Sequence, residues 1–146
     1  MTTGKRRISL LAVVLPLFFA CTPPSSTEEF IKVRDAGNGI YSFRVDMSDS
    51  LAVYDLSFYT RVDRNSLKSS GEAPRIRLVA TWISPSGETF SETVYLPSGD
   101  AEGTVQKYRS GVQPKEPGVW TLNVKAYSQE KGFRGLGLIC DRNGTR

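Results

Sequence analysis

The amino-acid sequence predicts an all-β chain folded as an antiparallel two-sheet β-sandwich of about seven strands, immunoglobulin-like or jelly-roll-like. Three observations predict it. Apolar and polar residues alternate almost throughout the chain after Phe30, the pattern of strands with one buried and one wet face. Turn chemistry falls between the alternating runs, with Pro85-Ser86-Gly87 and Pro97-Ser98-Gly99 bracketing one strand length. No segment longer than a turn or two carries the 3.6-residue period of a helix.

Each element follows from its own stripe. Tyr41, Phe43 and Val45 form the first apolar face. Tyr54, Leu56, Phe58, Thr60 and Val62 form the second, opposite Asp55, Ser57, Tyr59 and Arg61. Residues 64–74 read as an exposed loop. Ile76, Leu78, Ala80 and Trp82 then share a face opposite Arg75, Arg77, Val79 and Thr81. Past the Pro85–Gly87 turn, Phe90, Val94 and Leu96 lie opposite Thr89, Ser91, Thr93 and Tyr95. Residues 97–104 read as a second loop, and a seventh strand is expected around Gln106–Val112. Pro117-Gly118 opens a strand in which Trp120, Leu122, Val124 and Ala126 oppose Thr121, Asn123, Lys125 and Tyr127. Leu136, Leu138 and Cys140 close the fold.

The N-terminus has a different composition. Lys5, Arg6 and Arg7 precede Ile8–Ala20, a 13-residue run interrupted only by Ser9 and Pro16. A bilayer-spanning helix needs about 20 apolar residues, so the run suits a signal peptide, expected over residues 1–20. Ala20-Cys21 resembles the lipobox of bacterial lipoproteins, with Phe18 where leucine is usual and Leu17 one step early. The resemblance implies lipidation at Cys21, and so a lipid bilayer as one partner. An ordinary secretory signal cleaved near Ala20 is the alternative. Several acyl chains on one cysteine give stable anchoring where a single chain does not. Residues 21–29, rich in Pro and Ser, read as the lipidated cysteine and a flexible tether, leaving 30–146 for the sandwich. Acids come late after the cysteine, at Glu28 and Glu29. Some outer-membrane lipoproteins carry acids directly behind the cysteine as a surface-export signal, so comparison with them implies an outer-membrane position facing the periplasm over the cell surface.

Composition excludes several function classes. The chain has 146 residues and a formal charge of +4, but three of those charges are the leader's Lys5, Arg6 and Arg7. The remainder is nearly neutral, without the sustained basic face that nucleic-acid binding needs. Histidine is absent, which removes Ser-His-Asp and Cys-His nucleophiles and imidazole-rich metal sites. With Cys21 lipidated, Cys140 has no disulfide partner and reads as a small buried hydrophobe.

The remaining polar motifs favour ordinary roles. Asp46-Met47-Ser48-Asp49-Ser50 lacks the glycine pivot and closing glutamate of a calcium loop. Ser66-Leu67-Lys68 lacks the Ser-x-x-Lys spacing of Ser-Lys hydrolases. Glu92 shares a face with Phe90 and Val94, where a carboxylate is costly without a partner; a bulge or strand end that lets it reach water is the expected resolution. The sequence therefore implies no cofactor, no metal and no catalytic residue. Tyr59, Tyr95 and Tyr127, with Arg75 and Arg77, all fall on faces predicted to be wet. Exposed Tyr and Arg are favoured at interfaces, and Tyr also stacks on sugars, so these five form the candidate partner-binding surface. A glycan platform requires the three tyrosines to share one sheet.

The order of several short stretches resembles the GldH family of gliding-motility lipoproteins of Bacteroidetes. These are Asp55–Arg61, Leu78–Glu88 ending in Ser84-Pro85-Ser86-Gly87-Glu88, Tyr108–Val112, Glu116–Leu122 and Gly135–Ile139. The linker between Asp100 and Tyr108 is shorter than the family pattern. The resemblance implies a non-catalytic, lipid-anchored accessory protein of the gliding and type IX secretion apparatus, with envelope proteins as partners. The alternative is a glycan-binding lipoprotein of a polysaccharide-uptake system.

Overall fold

A computed structural model of the chain describes residues 25–62, 75–97, 105–127 and 132–144. Eight strands run through them: β1 (Ser26–Lys32), β2 (Ile40–Met47), β3 (Val53–Val62), β4 (Arg75–Ile83), β5 (Thr89–Pro97), β6 (Val105–Val112), β7 (Gly118–Ala126) and β8 (Phe133–Asn143). A short 3-10 turn, Val33–Asp35, joins β1 to β2. The strands form two antiparallel four-stranded sheets, ordered β1-β8-β3-β6 and β2-β7-β4-β5. Only β4 and β5 are both consecutive in sequence and hydrogen-bonded to each other. Eight strands in two facing sheets with this crossing pattern make a jelly roll, which selects between the two topologies the sequence left open.

Alternation builds the core as expected. Phe43 and Val45 from β2, Leu56 and Phe58 from β3, and Ile76 and Leu78 from β4 are buried between the sheets, with Leu122, Val124 and Leu136. The β4–β5 hairpin turns where the Pro-Ser-Gly signal lies. Gly87 takes φ 93°, Ser84 N donates to Glu88 O at 2.8 Å, and Gly87 N donates to Ser84 O at 2.9 Å. The Asp46–Ser50 segment is a turn as well, with Asp46 Oδ1 accepting from Ser48 N and Asp49 Oδ1 from Leu51 N, both at 3.0 Å.

One expected boundary needs correction. The sandwich is the expected antiparallel two-sheet fold, with eight strands for the expected count of about seven, and the first of them begins inside the expected tether. Ser26 to Glu29 pair with Asp141 to Leu138 of β8. This segment escapes a hydrophobic-pattern reading because it is an edge strand, exposed from Ser26 through Glu29. Backbone pairing along β8 holds it, and only Ile31 packs against the core.

The registers divide the molecule into two poles. At one pole Met47 pairs with Gly118, Ile83 with Thr89, Ser26 with Asp141 and Val53 with Asn143. The described chain therefore both starts and finishes there. At the opposite pole lie the outer ends of β4, β5 and β7, with Arg75, Pro97 and Ala126.

Candidate functional site

The terminal pole carries a cleft of about 360 Å³ between the β4–β5 turn and the β6–β7 connection, lined by Trp82, Phe90, Arg109, Lys115, Glu116 and Trp120 among others. Its floor is aromatic. Trp82 is an inward residue of β4, paired with Phe90 on β5 and with Leu122 on β7. Its ring stacks on Phe90 at 6.3 Å, and Trp120 meets both rings edge-on at 6.3 and 6.4 Å. Trp82 is buried, but Phe90 is 47% exposed because β5 ends its sheet and no strand covers it.

Beside the rings sits a fixed polar network. Tyr108, from the edge strand of the other sheet, stacks on Trp82 at 6.4 Å and packs against Phe58 at 4.7 Å. Trp82 Nε1 donates to Tyr108 Oη at 2.9 Å, and Tyr108 Oη donates in turn to Glu92 Oε1. Arg109 Nε and Nη2 donate to the same carboxylate oxygen at 3.1 and 2.7 Å. Glu92 thus joins the edges of the two sheets. In place of the bulge or strand end that alternation predicts for it, Glu92 stays half-buried in regular register opposite Ala80, with its own cation. Burial, and then the hydrogen bond to the Glu92 anion, push the Tyr108 hydroxyl up to about 12. The bond to Glu92 likewise raises the pKa of the Arg109 guanidinium. Tyr108 and Arg109 therefore keep their protons throughout the neutral range. They act as positioned donors.

The rim is held from below. Ser86 Oγ donates to Glu116 Oε2 at 2.7 Å, and Trp120 Nε1 donates to Glu116 O at 2.9 Å, tying the β6–β7 connection to the β4–β5 turn. The arrangement can stack a flat, weakly polar face on Phe90 and Trp120. Glu92 Oε2, which accepts no hydrogen bond among the described residues, and the remaining Arg109 donors can meet polar groups beside it.

The five residues of the predicted partner surface do not stay together. Tyr95, Tyr127, Arg75 and Arg77 share the outer face of the β2-β7-β4-β5 sheet at the pole opposite the cleft. Tyr95 and Tyr127 are 59% and 53% exposed. Tyr59 is on the other sheet and is not wet, which corrects the expectation for that residue. Its ring stacks on Phe30 at 5.6 Å and its hydroxyl donates to Glu28 at 2.6 Å. The platform of three tyrosines on one sheet therefore does not exist.

Cys140 is free and buried, as expected of a small hydrophobe, and burial raises its thiol to about 11. Cys21, the leader, and the Ser66–Lys68 motif lie outside the described residues. The cleft itself was missed. Alternation puts Trp82, Phe90 and Trp120 on apolar faces, but nothing local in sequence says that Phe90 lies on an uncovered edge.

No protein-family model matches the chain, and no curated protein matches it. Among solved structures, the chain is similar to one described as TmCBM61 in complex with beta-1,4-galactotriose, at 16% identity and a TM-score of 0.37. The match covers 72% of this chain and 61% of that one.

Proposed function

We propose that this chain is a non-catalytic binding module, tethered to a bacterial membrane through Cys21, that takes a saccharide in the aromatic cleft. One observation carries the reading: Phe90 is held open beside Trp82 and Trp120, directly next to the preorganised Glu92–Arg109–Tyr108 network. A pyranose ring presents an apolar C–H face for stacking and hydroxyls at its edge for charged planar partners. Pockets with a few fixed polar groups set in apolar walls are the usual form of small-ligand sites.

Titration calorimetry against neutral galacto-, gluco-, xylo- and manno-oligosaccharides tests the reading. Binding to at least one series is expected, weakened about tenfold, or about 1.4 kcal/mol, by Phe90→Ala. Absence of binding across the panel, or binding indifferent to both Phe90→Ala and Trp120→Ala, overturns it.

A second reading has its own support. Three of the stretches resembling the GldH family, Ser84–Glu88, Tyr108–Val112 and Glu116–Leu122, supply walls of this same cleft. On that reading the occupant is a segment of an envelope protein of the gliding or secretion apparatus. Affinity capture from detergent-solubilised envelopes separates the two. Recovery of those proteins by the wild type but not by Phe90→Ala favours the second reading, and a Cys21→Ala control tests the anchor in the same experiment.

A further inference from the structure

The outer face of the β2-β7-β4-β5 sheet has an unusual charge pattern. Across β5, β4 and the end of β7 runs the row Tyr95–Arg77–Tyr127, in which Arg77 pairs with Tyr95 and its guanidinium lies 5.1 Å from the Tyr127 ring centre. One rung along, Lys125 Nζ lies 5.3 Å from the same ring, and Arg75 flanks the row on the other side. Among the described residues no carboxylate pairs with Arg75, Arg77 or Lys125. Among the described residues the carboxylate on this face is Asp46, at the far end of β2, where it is engaged by Ser48.

Behind the row the face is mixed: Val79 lies between Thr93 and Lys125, and hydroxyls and an amide follow it. Thr93, then Ser91 and Thr81, whose hydroxyls lie 2.8 Å apart, and then Asn123 extend it towards the other pole. Strands about 4.8 Å apart thus present cations, phenol rings and neutral hydrogen-bonding groups on one continuous surface.

From this geometry we infer that the outer sheet face is a second binding surface, independent of the cleft, for a polyanionic polysaccharide. Arg75, Arg77 and Lys125 meet its carboxylates or sulfates, Tyr95 and Tyr127 lie under its sugar rings, and the hydroxyl rungs meet its neutral groups. Charge complementarity selects a polyanion. The pole selects a polymer over the bilayer. The described chain starts at the opposite pole, and on the proposed anchoring through Cys21 the four residue steps from Cys21 to Ser25 span at most about 14 Å.

The test is surface-plasmon binding of the detergent-solubilised full chain to polygalacturonate, dextran sulfate, neutral dextran and phosphatidylglycerol vesicles. Binding to polygalacturonate at about 20 mM salt, lost by about 300 mM as exposed charges are screened, is expected, with none to dextran. Arg77→Ala should weaken it about tenfold, and Tyr127→Ala should weaken polygalacturonate more than dextran sulfate. Arg77→Ala keeps the backbone bond from Tyr127 N to Arg77 O, so the sheet survives. Failure to bind at low salt, equal binding to dextran, stronger binding to the vesicles, or indifference to Arg77→Ala overturns the proposal. Loss of polygalacturonate binding in Phe90→Ala places the polymer in the cleft and overturns it also. Neutral-oligosaccharide binding in the cleft stands or falls separately.

Discussion

The two outer faces of the sandwich start from the same sequence signal and end differently. Tyr59 on β3 and Tyr95 on β5 both sit on the polar side of an alternating strand, and alternation assigns both to water. Tyr59 is 6% exposed and Tyr95 is 59% exposed. The difference lies in what the neighbouring strands contribute. Tyr59 pairs with Gly137 of β8, and Gly137 pairs in turn with Phe30 of β1. With no side chain at Gly137, the Tyr59 ring lies down over β8 and meets Phe30, and the Arg61 guanidinium lies 4.8 Å from the Phe30 ring centre. Tyr95 belongs to an edge strand and has Arg77 as its neighbour. Period-two alternation tells which face a side chain leaves from. Whether that face is covered depends on residues on other strands, with no fixed offset in sequence.

The largest effect should come from restoring a side chain at the covered face. A Cβ at Gly137 would overlap the Tyr59 ring, and such overpacking costs about 2–3 kcal/mol. A urea denaturation midpoint of Gly137→Ala close to wild type would show that the two faces are packed alike. Next comes Tyr59→Phe, which keeps the stacked ring and removes the bond to Glu28, expected to cost about 1 kcal/mol in the same assay.

A pH scan sharpens the contrast further. Burial first, and then the bond to Glu28, raise the Tyr59 hydroxyl to about 12, against 10.0 for the free side chain. Between those values the folded state holds a proton that the unfolded state has released. The stability this group contributes is therefore complete below pH 10 and is lost as pH rises towards 12. Tyr108 adds a fall in the same window. Melting temperatures from pH 9 to 12 should decline more steeply in the wild type than in Tyr59→Phe. The smallest effect belongs to the bare face: Tyr95→Ala and Tyr127→Ala should each shift stability by less than about 0.5 kcal/mol, since neither ring fills the core.

The fold was largely legible because alternation and Pro/Gly turns are local signals. The inner faces of β2, β3, β4 and β7 could be read residue by residue. β1 could not, because an edge strand with four exposed residues at its start has no apolar stripe to read. The cleft was legible only in fragments. Glu92 was singled out as an acid on an apolar face, but its partners Tyr108 and Arg109 come from the opposite sheet. Only the jelly-roll order β1-β8-β3-β6 against β2-β7-β4-β5 places β6 beside β5.

The aromatic floor of the cleft also makes the protein its own reporter. The chain has two tryptophans, and both Trp82 and Trp120 line that cleft. Intrinsic indole emission therefore originates entirely at the terminal pole. An occupant stacking on Phe90 and Trp120 should change its intensity and colour, whereas a polymer lying across Tyr95 and Tyr127 should leave it nearly dark to the event. Two sites on one small sandwich can thus be followed separately in a single cuvette, without attaching any dye.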